Sequence, residues 1–205
     1  MINRLMILFL LLTFNFTVFG QESKQILKKL QEQIKSTAGF SSEFVQSAIT
    51  PEGKKVQNLK GKFTYANGDK FKAELKNTEI VSDGTTIWNY NKTQKRVLIN
   101  NTSDDPSAFS IERYLFKYPS YCIVTNVADS KFKNSIKLTP KNNDLEFSEV
   151  IINADDNYQI KKILITDTQN NKYLLELNKI TTIDSSDKTL FNFSVPKGIK
   201  VIDMR

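Results

Sequence analysis

The sequence predicts a mainly β protein with an α lid: an unclosed antiparallel half-barrel of about eleven strands covered by helices. Three observations carry that prediction. From Phe40 onward apolar and polar residues alternate at a period of two in short runs. The links between those runs are short and rich in Asn, Asp and Gly. Two stretches, one near the start and one in the middle, keep the helical period instead. A purely antiparallel sheet of this many strands curls rather than staying flat. Helices that cannot join its ladder must then lie over the curled face.

The elements follow in order. Arg4, the apolar run Leu5 to Phe14, and Val18 and Gly20 at the positions of a signal peptidase site read as a secretory signal peptide over 1–20. They predict a mature start at Gln21, an exported protein and a single domain over 21–205. Asn15 and Thr17 interrupt the run before the roughly 20 apolar residues a membrane anchor needs. No cysteine follows the site, so acylation there is not expected and a soluble protein in a Gram-negative periplasm is.

Ser23 as N-cap, Ile26, Leu27, Leu30 and Ile34 as one apolar stripe, and Gly39 as the stop predict an amphipathic helix over 24–37. Strand-type runs follow at 40–50, 56–66, 70–76, 78–82, 85–90 and 95–99, an antiparallel meander. A second helix is expected near 105–118, opened by Asp105 and Pro106 and ended near Pro119, with Phe109, Ile111, Leu115 and Phe116 on its apolar side. Five further strands are expected at 122–129, 134–140, 144–153, 158–167 and 172–183, then a closing extended segment within 184–203.

The composition excludes much chemistry. With no histidine there is no Ser/His or Cys/His pair and no histidine metal site. The acids fall mostly at turns, and no phosphate-binding loop, GxSxG, dinucleotide fingerprint, CxxC pair or calcium-binding loop occurs. No enzyme, metal or cofactor is expected. Cys122 is the only cysteine, so it reads as a small core residue. The formal charge of +7 falls to +6 without Arg4, and the lysines are spread among acidic and amide residues. They read as solvated outer faces of strands, with attraction to anionic lipid or an acidic partner as the alternative. Nucleic acid is not an expected partner, and a monomer is the default.

What stands out is aromatic surface on strands. The expected inner face is built from Phe44, Phe63, Phe71, Leu75, Trp88 and Tyr90, with Phe109, Leu115 and Phe116 of the mid-chain helix above it. A sealed core is the ordinary reading of such strands. A helix, a large curled sheet and a second helix can, however, move apart more easily than two sheets can.

Five segments in order, FSSEFVQ (40–46), GKFTY (61–65), SDGTTIWNYN (82–91), KLTPK (137–141) and FNFSVPKGIKVID (191–203), resemble the LolA family, the periplasmic carriers of outer-membrane lipoproteins. The last, F-x-F-x-x-P-x-G-x-x-V-x-D, is the most specific. The resemblance implies an unclosed barrel with helices as a lid. It implies a cavity for acyl chains whose wall includes Trp88 and Tyr90, with Phe71 near its mouth. As partners it implies acylated lipoproteins, an inner-membrane ABC transporter that releases them and an outer-membrane acceptor. Many members carry Arg-Pro after GKFTY as part of a lid latch; here the positions are Asn67 and Gly68. A paralogous carrier of another amphiphile, such as a glycolipid, and a half-barrel sensor or interaction domain are the alternatives.

Overall fold

A computed structural model describes residues 17–102, 110–184 and 189–205. Among them one helix, α1 (Thr17–Ser36), precedes twelve strands that form a single sheet. The first meander is β1 (Gly39–Ile49), β2 (Lys55–Ala66), β3 (Lys70–Leu75), β4 (Thr78–Asp83), β5 (Thr86–Asn91) and β6 (Arg96–Asn101). The second is β7 (Cys122–Asn126), β8 (Asn134–Pro140), β9 (Phe147–Ala154), β10 (Ile160–Asp167) and β11 (Lys172–Thr182). β1 pairs with both β2 and β11 and so joins the two meanders at the middle of the sheet. The outermost strands, β7 and β12 (Lys200–Asp203), do not pair with each other, which leaves the barrel open.

The short β12 corrects the expectation of a purely antiparallel sheet, because it runs parallel to β6. The reason is topological. β11 ends in the middle of the sheet, so the chain must cross a face to reach the β6 edge, and the crossover delivers β12 in the same direction as β6.

Residues directly opposite on paired strands share a face. The register therefore defines one broad, mainly apolar surface. Phe44 stands opposite Gly61 and Leu177, Phe63 opposite Ala73, and Tyr65 opposite Phe40 and Phe71. Ile163 stands opposite Leu175 and Ile152, and Leu138 opposite Val150. All but Gly61 belong to one buried cluster, which the apolar stripe of α1 completes through Ile26, Leu30 and Ile34. Gly61 is required within this surface: a Cβ there would meet the Glu74 carbonyl oxygen at 2.1 Å and the Phe44 ring at 2.8 Å.

α1 begins earlier than the cap signal predicts. It runs back to Thr17, so Ser23 lies inside it and is not an N-cap. Its hydroxyl instead donates to the Val124 carbonyl at 3.0 Å, satisfying a backbone acceptor on the edge strand β7. The exposed side of α1 carries the ordinary Lys28–Glu32 and Lys29–Glu32 pairs. No helix among the described residues is long and apolar enough to cross a membrane.

The mid-chain helix is irregular where it is described. Residues 113–117 form a π-turn, in which the Tyr118 N–H reaches the Arg113 carbonyl, and Tyr118–Tyr121 form a 3-10 turn. Pro119 accounts for part of this. It has no N–H to give the carbonyl four residues back, that of Leu115. The Gln31 side chain of α1 donates to that carbonyl instead, at 2.7 Å. The expected start of this helix at Asp105, together with Phe109, lies outside the described residues.

Candidate functional site

The concave face of the sheet lies under two covers, α1 and the segment from Ser110 to Tyr121. α1 rests on β7, β8 and the mid-chain segment. The mid-chain segment buries Ile111, Tyr114 and Leu115 in the same cluster as the sheet's phenylalanines. Its Tyr118 meets Phe147 of β9 edge-on, 5.2 Å between ring centres. At its other end it reaches the β2–β3 hairpin.

That hairpin is a clasp. The Gly68 N–H and the Tyr65 hydroxyl both donate to the same Glu112 carboxylate oxygen, at 2.7 and 2.9 Å. The Ser110 hydroxyl donates to Asp69 at 2.6 Å. The Asn67 amide donates to the carbonyls of Thr37 and Lys35, at 3.1 and 3.4 Å, where α1 ends. Three consecutive hairpin residues thus hold both covers. The conformation depends on Gly68 at φ +85° and Asp69 at φ 57°, left-handed positions that Gly and Asp tolerate best. Burial, together with the charge of Glu112, raises the Tyr65 phenol well above its ordinary range, so it stays a donor. Burial also raises the Asp69 carboxyl, opposed by its hydrogen bond from Ser110.

A neighbouring hairpin braces the clasp. Gly84, at φ +96°, comes so close to Gly68 that a Cβ would lie 2.2 Å from the Gly68 carbonyl oxygen. Ser82 donates to the Asp69 carbonyl at 2.9 Å. The SDG turn therefore sets the position of the clasp as well as the register of β4 and β5.

Of the residues expected to line a site, Phe44, Phe63, Phe71 and Leu115 meet in the covered cluster, and Leu75 and Phe116 are half-buried against it. Phe71 is 1% exposed, beneath the covers rather than at an open mouth. Its ring lies 6.2 Å from that of Phe63. Phe116 also faces outward enough for the Lys35 ammonium to sit 5.1 Å from its ring centre.

Trp88 and Tyr90 are a correction. Ile87, not Trp88, stands opposite Ser82, which in turn faces Phe71; Trp88 pairs with Val81 and Ile99, and Tyr90 with Val97. Both aromatic rings therefore project from the outer face of the sheet. Phe193 of the C-terminal crossover covers them, 6.2 Å from Trp88 and 5.8 Å from Tyr90. The residues of the clasp and Phe193 were not among the expected site residues. The period-two spacing of Phe191 and Phe193, and the latch position that the resemblance puts at Asn67 and Gly68, were the signals available.

Among the described residues no group of three or more His, Cys, Asp or Glu side chains could hold a metal ion. The site is an apolar surface whose polar groups lie mainly at its rim.

A family model described as outer membrane lipoprotein carrier protein LolA matches residues 35–194. The chain is 26% identical over 190 residues to the outer-membrane lipoprotein carrier protein of Actinobacillus pleuropneumoniae serotype 3, covering 88% of this chain and 85% of that protein. It is 27% identical over 194 residues to that of Shewanella halifaxensis, covering 93% and 90%. An uncharacterized conserved protein from Thermus thermophilus shares the fold, with a TM-score of 0.57 at 10% identity over 88% of this chain and 98% of that one.

Proposed function

Because the chain belongs to the LolA family of outer membrane lipoprotein carrier proteins, we propose that it binds the acyl chains of lipoproteins on its concave face and shuttles them across the periplasm. The observation that carries this reading is the face itself: an apolar, aromatic surface on one side of an open sheet, covered by two elements that a polar clasp holds at one rim.

Physical scale explains the design. Moving about three acyl chains of roughly 15 methylenes from a bilayer into water costs on the order of 30 kcal/mol, at about 0.8 kcal/mol per methylene. Spontaneous crossing is negligible. In this structure Ile26, Leu30, Ile34, Ile111, Tyr114 and Leu115 occupy the apolar face. They act as a built-in substitute for cargo. Loading exchanges these side chains for acyl chains, so one apolar contact replaces another and the net change is small. Small differences then suffice to pass cargo on. The donor in this scheme is an inner-membrane ABC transporter and the recipient an outer-membrane acceptor.

A mature chain starting at Gln21 keeps every buried position of α1 from Ser23 onward. Mass spectrometry of lipid extracted from protein purified from its own periplasm tests the reading. Acylated polypeptide is expected. Recovery of a glycolipid alone would assign the protein a different amphiphile, and a lipid-free protein that takes up no acyl probe would overturn the carrier reading.

A further inference from the structure

Ser42 interrupts the apolar surface. It stands on β1 between Phe40 and Phe44 and directly opposite Phe63. It is 2% exposed, and among the described residues its hydroxyl oxygen has no hydrogen-bond partner. The ladder is irregular here. Between the Ser41–Thr181 and Glu43–Asn178 pairs, β11 places two residues, Lys179 and Ile180, against Ser42 alone, with Lys179 at φ 50°. Bulges of this kind re-aim a side chain and recur beside functional sites. An unpaired hydroxyl among apolar groups works against folding, so a wall built only for packing would be better served by alanine.

Its depth is informative. On the same face Tyr65 stands opposite Phe40, and the Tyr65 hydroxyl reaches Glu112 at the rim. Ser42 is two residues further along β1, roughly 7 Å beyond the Phe40–Tyr65 pair and away from the clasp. A lipid with its head group outside the clasp and its chains on the phenylalanine surface brings the linkage between head and chain to about this level. That linkage carries the hydrogen-bond acceptors closest to the hydrocarbon.

We propose that the Ser42 hydroxyl donates a hydrogen bond to the ester or amide carbonyl that joins an acyl chain to its head group. The face would thereby prefer carbonyl-bearing acyl chains to plain alkyl chains. This inference rests on the reading of the concave face as an acyl-chain site.

A pyrene-labelled diacylglycerol and its dialkyl ether analogue differ only in the carbonyls, and their affinities for the parent protein and for Ser42→Ala test the proposal. The parent is expected to bind the ester roughly three- to tenfold more tightly than the ether, the value of one hydrogen bond. Ser42→Ala should bind both equally, at the parent's ether affinity, with a thermal midpoint at or above the parent's. Equal affinity of the parent for both probes, or an ester preference that survives in Ser42→Ala, overturns the role of Ser42 and leaves the acyl site standing. Failure of the parent protein to bind both the ester and the ether probe overturns both.

Discussion

The Glu112 carboxylate accepts the backbone N–H of Gly68 at 2.7 Å. One residue belongs to the mid-chain cover and the other to the turn between β2 and β3, so this bond joins the lid to the sheet. The donor is a main-chain group, which no substitution of side chain at position 68 can remove directly. The acceptor is a side chain and can be removed.

Glu112→Ala should loosen the lid without disturbing the sheet. Two donors, Gly68 N–H and the Tyr65 hydroxyl, lose their acceptor. Because the site is partly solvated, the expected loss is about 1–2 kcal/mol of stability in urea denaturation. Amide exchange should accelerate in α1 and in 110–121 and remain slow in β1, β2 and β11. Unchanged exchange in both covers would mean that Glu112 does not hold them.

Asp69 makes the clasp sensitive to pH in a definite direction. Burial raises its carboxyl above the ordinary range, so the folded form binds the proton more tightly than the unfolded chain does. Its stabilising contribution is therefore fully present below the unfolded pKa of about 4 and is lost as pH rises through the raised folded value. Asp69→Asn keeps an acceptor for Ser110 and tolerates the left-handed backbone, but does not titrate. The thermal midpoint of Asp69→Asn should gain on the parent's as pH rises from about 4 toward 7. The opposite trend would show that the ionised carboxylate, through Arg113 or Lys117, is the favoured form.

Phe71 separates a movable lid from a sealed core. A glutamate at this 1% exposed position must reach water or cost several kcal/mol, and lifting the covers gives it water. Phe71→Glu should keep the far-ultraviolet signature of the sheet, lose exchange protection in α1, and take up no acyl probe. Global unfolding would make Phe71 an inseparable part of the sheet core, and normal probe uptake would remove it from the site.

On the other face, Phe193→Ala should expose Trp88 and Tyr90. A red-shifted Trp88 emission and a loss of about 1–3 kcal/mol are expected for a half-buried aromatic. Cargo should leave the emission of the parent protein nearly unchanged, since Trp88 does not face the lidded surface. A large spectral change on adding an acyl probe would contradict that placement.

The strands were legible because each short run alternates and each link carries turn chemistry, as at Asn67–Gly68–Asp69 and Ser82–Asp83–Gly84. The choice between faces was not always legible. On β5 both faces carry large apolar side chains, Ile87 on one and Trp88 on the other, and period two says only that they differ. What decides between them is Phe193, which arrives from the far end of the sequence. The stripe of α1 was readable because the helical period selects a single face. The clasp was legible only as the latch position implied by the resemblance at Asn67 and Gly68, since a turn sequence looks the same whatever its backbone touches. β12 was legible as a closing extended segment after the turn at Gly198, but its parallel pairing with β6 was not, because period two says nothing of strand direction.

The pairing of β1 with β11 also governs when the protein can fold. Phe40 and Phe44 sit on the first strand to be made, yet half of their cross-strand neighbours, Thr182 and Leu177, come almost last. The Glu43–Lys179 ion pair across the same seam spans 136 residues. Until that second partner arrives, β1 offers an unpaired backbone edge and a row of phenylalanines, a combination that invites aggregation. Contacts this distant in sequence make for slow folding. A newly made chain must therefore wait as an incomplete sheet, vulnerable to wrong partners and open to chaperones that hold extended chains, until its last quarter is available.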